Sequence, residues 1–118
     1  MKKVVFLGGL SKVIFDDLYK VIKDREINGK DKSYTKYLLD TGTDKILKKV
    51  GEECTEVIIA AKENNKDEIV NEICDLAYHL LVLMVNKKID IEDINNELVK
   101  RRDKINNFKG ERKNIDIL

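Results

Sequence analysis

The sequence predicts an all-α fold, a helical bundle of about four helices, and three observations lead there. Its 118 residues include no Pro, no Trp and only 6% aromatics, which removes the usual punctuation of small β-sandwiches. Apolar residues recur every three or four positions over long stretches, the rhythm of amphipathic helices. Between those stretches stand Gly, Asn and Asp, residues that stop and cap helices.

The first expected helix carries Leu10, Ile14, Leu18 and Ile22, with Phe15 and Val21 beside them, and stops at Asn28-Gly29. Residues 30–43 read as a polar loop holding Ser33-Tyr34-Thr35, a short helical turn at 36–39 and a stop at Gly42. Irregular segments on a rigid scaffold often carry function. The second helix is expected over 44–63. Ile46, Val50, Cys54, Val57 and Ala61 form its apolar stripe, Glu53 projects inside the edge of that stripe, and Glu56 lies just beside it. Asn65 followed by Glu68 is a capping-box pattern, so a third helix should run over 66–86 after a tight turn. Its apolar residues cover most of the circumference and leave a narrow polar stripe of Glu68, Glu72, Asp75 and His79. A helix apolar nearly all round is central to a bundle or shared between subunits. A homodimer or higher homo-oligomer is therefore expected, with a second subunit covering the second half of this central helix. Asp90 and Asp93 should cap a last helix carrying Ile94, Leu98, Val99 and Ile105, and 106–118 reads as a polar tail.

The length suits a single domain spanning 1–118, with a compact core over about 10–105. With 23 basic and 22 acidic residues, no global field recruits nucleic acid or an anionic membrane. No run approaches the ~20 apolar residues of a membrane span. Val4-Val5-Phe6-Leu7 after two lysines is too short an apolar run for an export signal and has no small-residue cleavage site after it. A soluble, cytoplasmic protein is expected. Cys54 and Cys74, each on an apolar helix face, read as reduced core residues rather than a disulfide scaffold.

Chemistry concentrates in two acidic pairs, Glu53-x-x-Glu56 and Glu72-x-x-Asp75. In an antiparallel hairpin turning between Asn65 and Lys66, residues whose numbers sum to about 131 face each other. Glu56 then meets Asp75, Glu53 lies level with Tyr78 and His79, and Glu72 lies level with Ile59. Four carboxylates so placed repel unless a divalent cation neutralises them. An all-carboxylate ligand set favours Mg²⁺, with Mn²⁺ as substitute, over zinc. A single acidic pair in a chain that is 38% charged would signify only a solvated face; two pairs facing across a tight hairpin at the edge of the core point to a metal site. His79, on the same stripe, reads as an orienter of a ligand or as a structural histidine. Lys45, Lys48 and Lys49 precede the acids and are placed to meet phosphates, although a solvated lysine face is the plainer reading. Arg101 or Arg102 is a candidate partner for an acid or phosphate. Gly8-Gly9 lacks the Lys-Ser/Thr ending of a P-loop and is given no nucleotide role.

Together, Ser33-Tyr34-Thr35, the run from Lys48 to Glu53, the run from Glu56 to Lys62, and Glu72 with the run from Asp75 to Val82 resemble the phosphoribosyl-ATP pyrophosphatase family, within the all-α MazG-type nucleotide pyrophosphatase superfamily. The resemblance covers residues from about 10 to 102. It implies Mg²⁺-dependent hydrolysis of 1-(5-phosphoribosyl)-ATP to 1-(5-phosphoribosyl)-AMP and pyrophosphate, the second step of histidine biosynthesis. It also implies that Glu53, Glu56, Glu72 and Asp75 are the metal ligands with Glu52 adjacent, and that Ser33, Tyr34, Thr35, Lys48 and Lys49 contact substrate. Cys54-Thr55 stands where relatives often have small alanines. The cyclohydrolase domain fused in some relatives is not expected in this chain. The chemistry also suits the residues themselves: a divalent ion offsets polyphosphate charge and activates water, and Glu53 is the chosen base. Two other readings are a house-cleaning nucleoside triphosphate pyrophosphatase and a nucleic-acid-binding helical module using Lys100, Arg101, Arg102 and Lys104; the second would not need the four acids.

Overall fold

A computed structural model describes residues 14–30 and 32–104. Those residues form α1 (Ile14–Asn28), α2 (Tyr34–Thr41), α3 (Thr43–Lys62), α4 (Lys66–Asn86) and α5 (Ile91–Arg102), with no strand among them. The all-α expectation holds, with five helices in place of about four. The extra one is α2, where the sequence suggested only a turn at 36–39. An isolated eight-residue helix is marginal in water, but this one is held at both ends and through its middle. The Ser33 hydroxyl accepts from the Lys36 amide at 3.2 Å, and Leu38 is fully buried. At its end the Gly42 amide donates to the Leu38 carbonyl at 3.0 Å. Gly42 has φ 109°, a backbone state that favours glycine, and it lets the chain turn straight into α3.

The long pair α3 and α4 makes an antiparallel hairpin. At its tip Asn64 takes φ 56°, which Asn tolerates better than most residues, and the Asn65 side chain caps α4 by accepting from the Glu68 amide at 3.1 Å. At the other end the Thr43 hydroxyl donates to the Asn86 side-chain carbonyl at 2.9 Å. Here α1 and α2 pack across the hairpin, giving a core of Tyr19, Ile22, Leu38, Ile46, Leu81, Val82 and Val85. The Tyr19 hydroxyl donates to the Ile89 carbonyl at 2.7 Å, tying α1 to the α4–α5 turn. That turn is shaped in part by Asp93, whose carboxylate accepts from the Asp90 amide.

Two core expectations need correction. Cys54 and Cys74 are free thiols, but both are exposed. The second half of α4, expected to lack cover within one chain, is covered on one side only: Leu81, Val82 and Val85 are buried, while Leu80 stays exposed. One cause explains both corrections. The short helices cover much of the closed end of the hairpin and leave the tip end bare, so Ile58, Ile59, Val70 and Ile73 stay exposed there, while Leu47 and Leu80 are the exposed apolar residues nearer the closed end. The expected first-helix start near Leu10, Ile105 of the last helix and the 106–118 tail lie outside the described residues.

Candidate active site

Three of the four paired acids come together on the face of the hairpin between the closed core and the tip. One carboxylate oxygen from each of Glu53, Glu56 and Glu72 lies within 4.8 Å of the other two. Glu53 and Glu56 are one turn apart on α3, and Glu72 reaches them across the hairpin. Glu56 and Glu72 also line a cavity of about 240 Å³ with Ile59, Ala60, Glu63 and Glu68. The expected meeting of Glu72 with Ile59 is seen there. Glu63 and Glu68 add acid to the cavity; the sequence placed Glu68 as a cap partner and on the polar stripe of α4, and did not single out Glu63. Asp75 is half-buried on α4, three residues beyond Glu72, and falls outside the three-carboxylate cluster although its charge is felt by Glu72.

Electrostatics mark this cluster as incomplete. Glu53 is only 7% exposed, and its Oε2 is shut off from solvent with no hydrogen-bond partner. Leaving such an oxygen unpaired costs on the order of 1–3 kcal/mol or more. The Glu72 carboxyl is pushed up to about 7 by burial and by the neighbouring charges of Glu56, Glu53 and Asp75. The donor set is oxygen only and carries several negative charges, which fits a hard divalent cation.

Above the acids, hydrogen bonds dock the start of α2 on α4. His79 is buried, and its Nδ1 sits 2.8 Å from the Asp75 backbone oxygen. A carbonyl only accepts, so Nδ1 carries the proton and the Nε2 of the neutral ring is an acceptor. The Tyr34 hydroxyl, 3.3 Å away, then donates to Nε2. The buried Thr35 hydroxyl pairs with the Tyr78 hydroxyl at 2.5 Å. The Tyr78 hydroxyl is held above its usual range, chiefly by burial. Sequence reading missed Tyr78 as a partner because it looks like one more core aromatic beside His79. Ser33 caps α2, so the Ser33-Tyr34-Thr35 segment consists of one cap and two side chains anchored to α4.

The basic candidates separate. Lys49 pairs with Glu52 at 3.4 Å, and that hydrogen bond, followed by the charge of Tyr34, holds its ammonium above the usual range. Lys49 is thus half-buried and paired with Glu52, next to Glu53 in sequence, whereas Lys48 is exposed. Arg101 bonds Glu97 at 3.0 Å and Arg102 lies 3.8 Å from Asp103, all on α5 and its end. Within one chain neither arginine reaches the carboxylate cluster.

The family model described as phosphoribosyl-ATP pyrophosphohydrolase matches residues 15–102. The chain is 58% identical over 103 residues to the phosphoribosyl-ATP pyrophosphatase of Clostridium novyi, covering 87% of this chain and 94% of that one. It is 57% identical over 103 residues to the protein of the same name from Clostridium acetobutylicum, with the same coverage of both. It is also 59% identical over 88 residues to the histidine biosynthesis bifunctional protein HisIE of Caldanaerobacter subterraneus, covering 75% of this chain and 43% of that longer one. The acid cluster and the anchored Ser-Tyr-Thr segment thus sit within a chain that belongs to the phosphoribosyl-ATP pyrophosphohydrolase family.

Proposed function

We propose that this protein hydrolyses 1-(5-phosphoribosyl)-ATP to 1-(5-phosphoribosyl)-AMP and pyrophosphate, with Mg²⁺ held by Glu53, Glu56 and Glu72 and with Asp75 one turn away. The observation that carries the metal part is the buried, unpartnered Oε2 of Glu53 inside a cluster of three carboxylates. When bound, Mg²⁺ neutralises polyphosphate charge and makes water more acidic; Mn²⁺ fits the same oxygen set. The chain's own residues do the rest. Glu53 takes the proton from the attacking water, and the bond between the α and β phosphates breaks, so pyrophosphate leaves as one piece. Lys49, held beside Tyr34 and Glu52, meets the charge of the triphosphate, assisted by the exposed Lys48. Ser33, Tyr34 and Thr35 present the substrate-facing turn, which His79 and Tyr78 keep docked on α4.

Two measurements test this reading. Product analysis with phosphoribosyl-ATP beside ATP and dATP should give pyrophosphate fastest from the first and almost none in excess chelator. Preferred turnover of ATP or dATP would instead assign the chain to house-cleaning of nucleoside triphosphates. Orthophosphate as first product, or full activity without metal, overturns the proposed chemistry.

A homo-oligomer, at least a dimer, completes the proposal. Ile58, Ile59, Val70 and Ile73 are each about half or more exposed, all on the hairpin half that carries the acids. At ~25 cal/mol per Å² their exposure forfeits several kcal/mol, and a second copy would recover it while flanking the site. An active species with the mass of a monomer in light scattering at low micromolar concentration defeats the claim. No described helix is long and apolar enough to cross a membrane, and the two exposed free thiols suit a reducing compartment such as the cytoplasm.

A further inference from the structure

A second cavity, of about 400 Å³, opens where α1 ends and α2 begins, lined by Arg25, Asn28, Gly29, Lys30, Lys32 and Ser33. No carboxylate lines it among the described residues, and neither Arg25, Lys30 nor Lys32 makes an ion pair there with a described residue. Asp31 stands between the two lysines in sequence, and even with its charge counted the balance is cationic. The chain makes this bend tightly: a Cβ on Gly29 would lie 2.5 Å from the Arg25 carbonyl oxygen, so Lys30 and Lys32 are brought back beside Arg25.

This cavity is joined to the acid cluster. Ser33, which lines it, immediately precedes Tyr34 and Thr35, the residues bonded to His79 and Tyr78. Arg25, which lines the cavity, is also near enough for its charge to act on the Tyr78 hydroxyl. Glu72 and Tyr78 are six residues apart on α4, roughly 9 Å along the helix axis. The molecule thus presents an acidic, cation-seeking site and a basic pocket at opposite ends of one short path along α4 and the start of α2. The proposed substrate has the matching form, with a triphosphate at one end, a phosphate monoester on the second ribose at the other, and adenine between.

We infer that Arg25, Lys30 and Lys32 form the seat of the distal phosphate monoester and so distinguish phosphoribosyl-ATP from ordinary nucleoside triphosphates. The inference rests on the substrate assigned above. Two ammonium groups and a planar guanidinium around a concave wall suit a dianionic phosphate, and the N-terminal end of α2 adds a favourable field.

The test is steady-state kinetics of the parent and of Lys30→Ala/Lys32→Ala, together with product inhibition by phosphoribosyl-AMP, which keeps the distal phosphate, and by pyrophosphate, which lacks it. Loss of two charge-assisted contacts should raise KM for phosphoribosyl-ATP and weaken phosphoribosyl-AMP inhibition by roughly tenfold or more, with kcat within about twofold and pyrophosphate inhibition unchanged. Arg25→Ala should do the same, and Arg25→Lys should restore part of the loss. Unchanged KM, or equal weakening of both products, overturns the inference while leaving the proposed reaction standing. If the parent itself does not turn over phosphoribosyl-ATP, both fall.

Discussion

The closed end and the tip end of the α3–α4 hairpin are built from similar apolar patterns and end in opposite states. At the closed end Ile46, Val82 and Val85 vanish beneath α1 and α2. Toward the tip Ile58, Ile59, Val70 and Ile73 remain exposed on helices of the same kind, next to carboxylates that repel one another. The difference teaches that stability and chemistry are separated along one pair of helices. The end buried by its own chain can carry the fold, which leaves the other end free to hold charges that weaken it until a cation or partner arrives.

The largest effect that tests this separation is at Glu53. Glu53→Gln keeps the shape and removes one of three crowded charges. Activity on phosphoribosyl-ATP should fall by roughly 10²–10⁴-fold, the range for loss of a general base. The metal-free variant should be at least as resistant to urea as the parent. Retained turnover removes Glu53 from the chemistry; a large stability loss would mean that its carboxylate helps to hold the fold.

Ile46→Ala makes the opposite perturbation. Emptying a fully buried position costs about 2–5 kcal/mol, read as a lower urea midpoint at every protein concentration. Ile58→Ala, at the exposed end, should cost less, and its deficit against the parent should shrink as the protein is diluted, because it acts through a subunit contact that dilution dissolves in both. If both variants respond alike to dilution, the two ends are not separate.

The pH dependence sharpens the comparison further. Glu72 titrates near 7 in the fold, above its usual 4.5, so the folded chain holds that proton more firmly than the unfolded chain does. Its contribution is fully present below about 4.5, declines as pH rises toward about 7, and is gone above that. In chelator, thermal midpoints of the parent should therefore fall from pH 5 to 8 relative to those of Glu72→Gln. Saturating Mg²⁺, which favours the ionised carboxyl, should reduce or reverse that difference. Parallel curves for the two proteins would show that the crowding of Glu53, Glu56 and Glu72 costs nothing.

Much of this was legible in the sequence. Acids at three-residue spacing on the border of an apolar stripe, with Asn65 placed to cap the next helix, locate the hairpin and its carboxylates, since both follow from helical periodicity and local capping. Periodicity does not say how far neighbouring helices reach. For that reason the exposure of Cys54 and Cys74 and the position of the bare apolar face were not legible. The helix α2 was hidden because it depends on burial of Leu38 rather than on propensity. The place of Asp75 outside the cluster of three depends on side-chain direction, which spacing leaves open.

The smallest effect lies where the two ends meet, at the hydroxyl of Tyr34. Its ring is half-exposed and stacks near Tyr37 and Tyr78, with centroids 6.2 Å from each, so Tyr34→Phe keeps the aromatic contacts and removes only the donor to His79. His79 is buried and its Nδ1 proton is already committed to the Asp75 carbonyl, so Nε2 would be left an unpaired acceptor. The loss should be about 1 kcal/mol of stability, the low end of the cost of an unsatisfied buried acceptor. It should be accompanied by a severalfold rise in KM with kcat little changed, because the turn that faces substrate is held less firmly while the carboxylates stay in place. Tyr37→Phe is the control, since the Tyr37 hydroxyl makes no hydrogen bond among the described residues; it should change neither quantity. If Tyr34→Phe lowers kcat and leaves KM alone, the Tyr34 hydroxyl acts on the reacting phosphate itself rather than through His79.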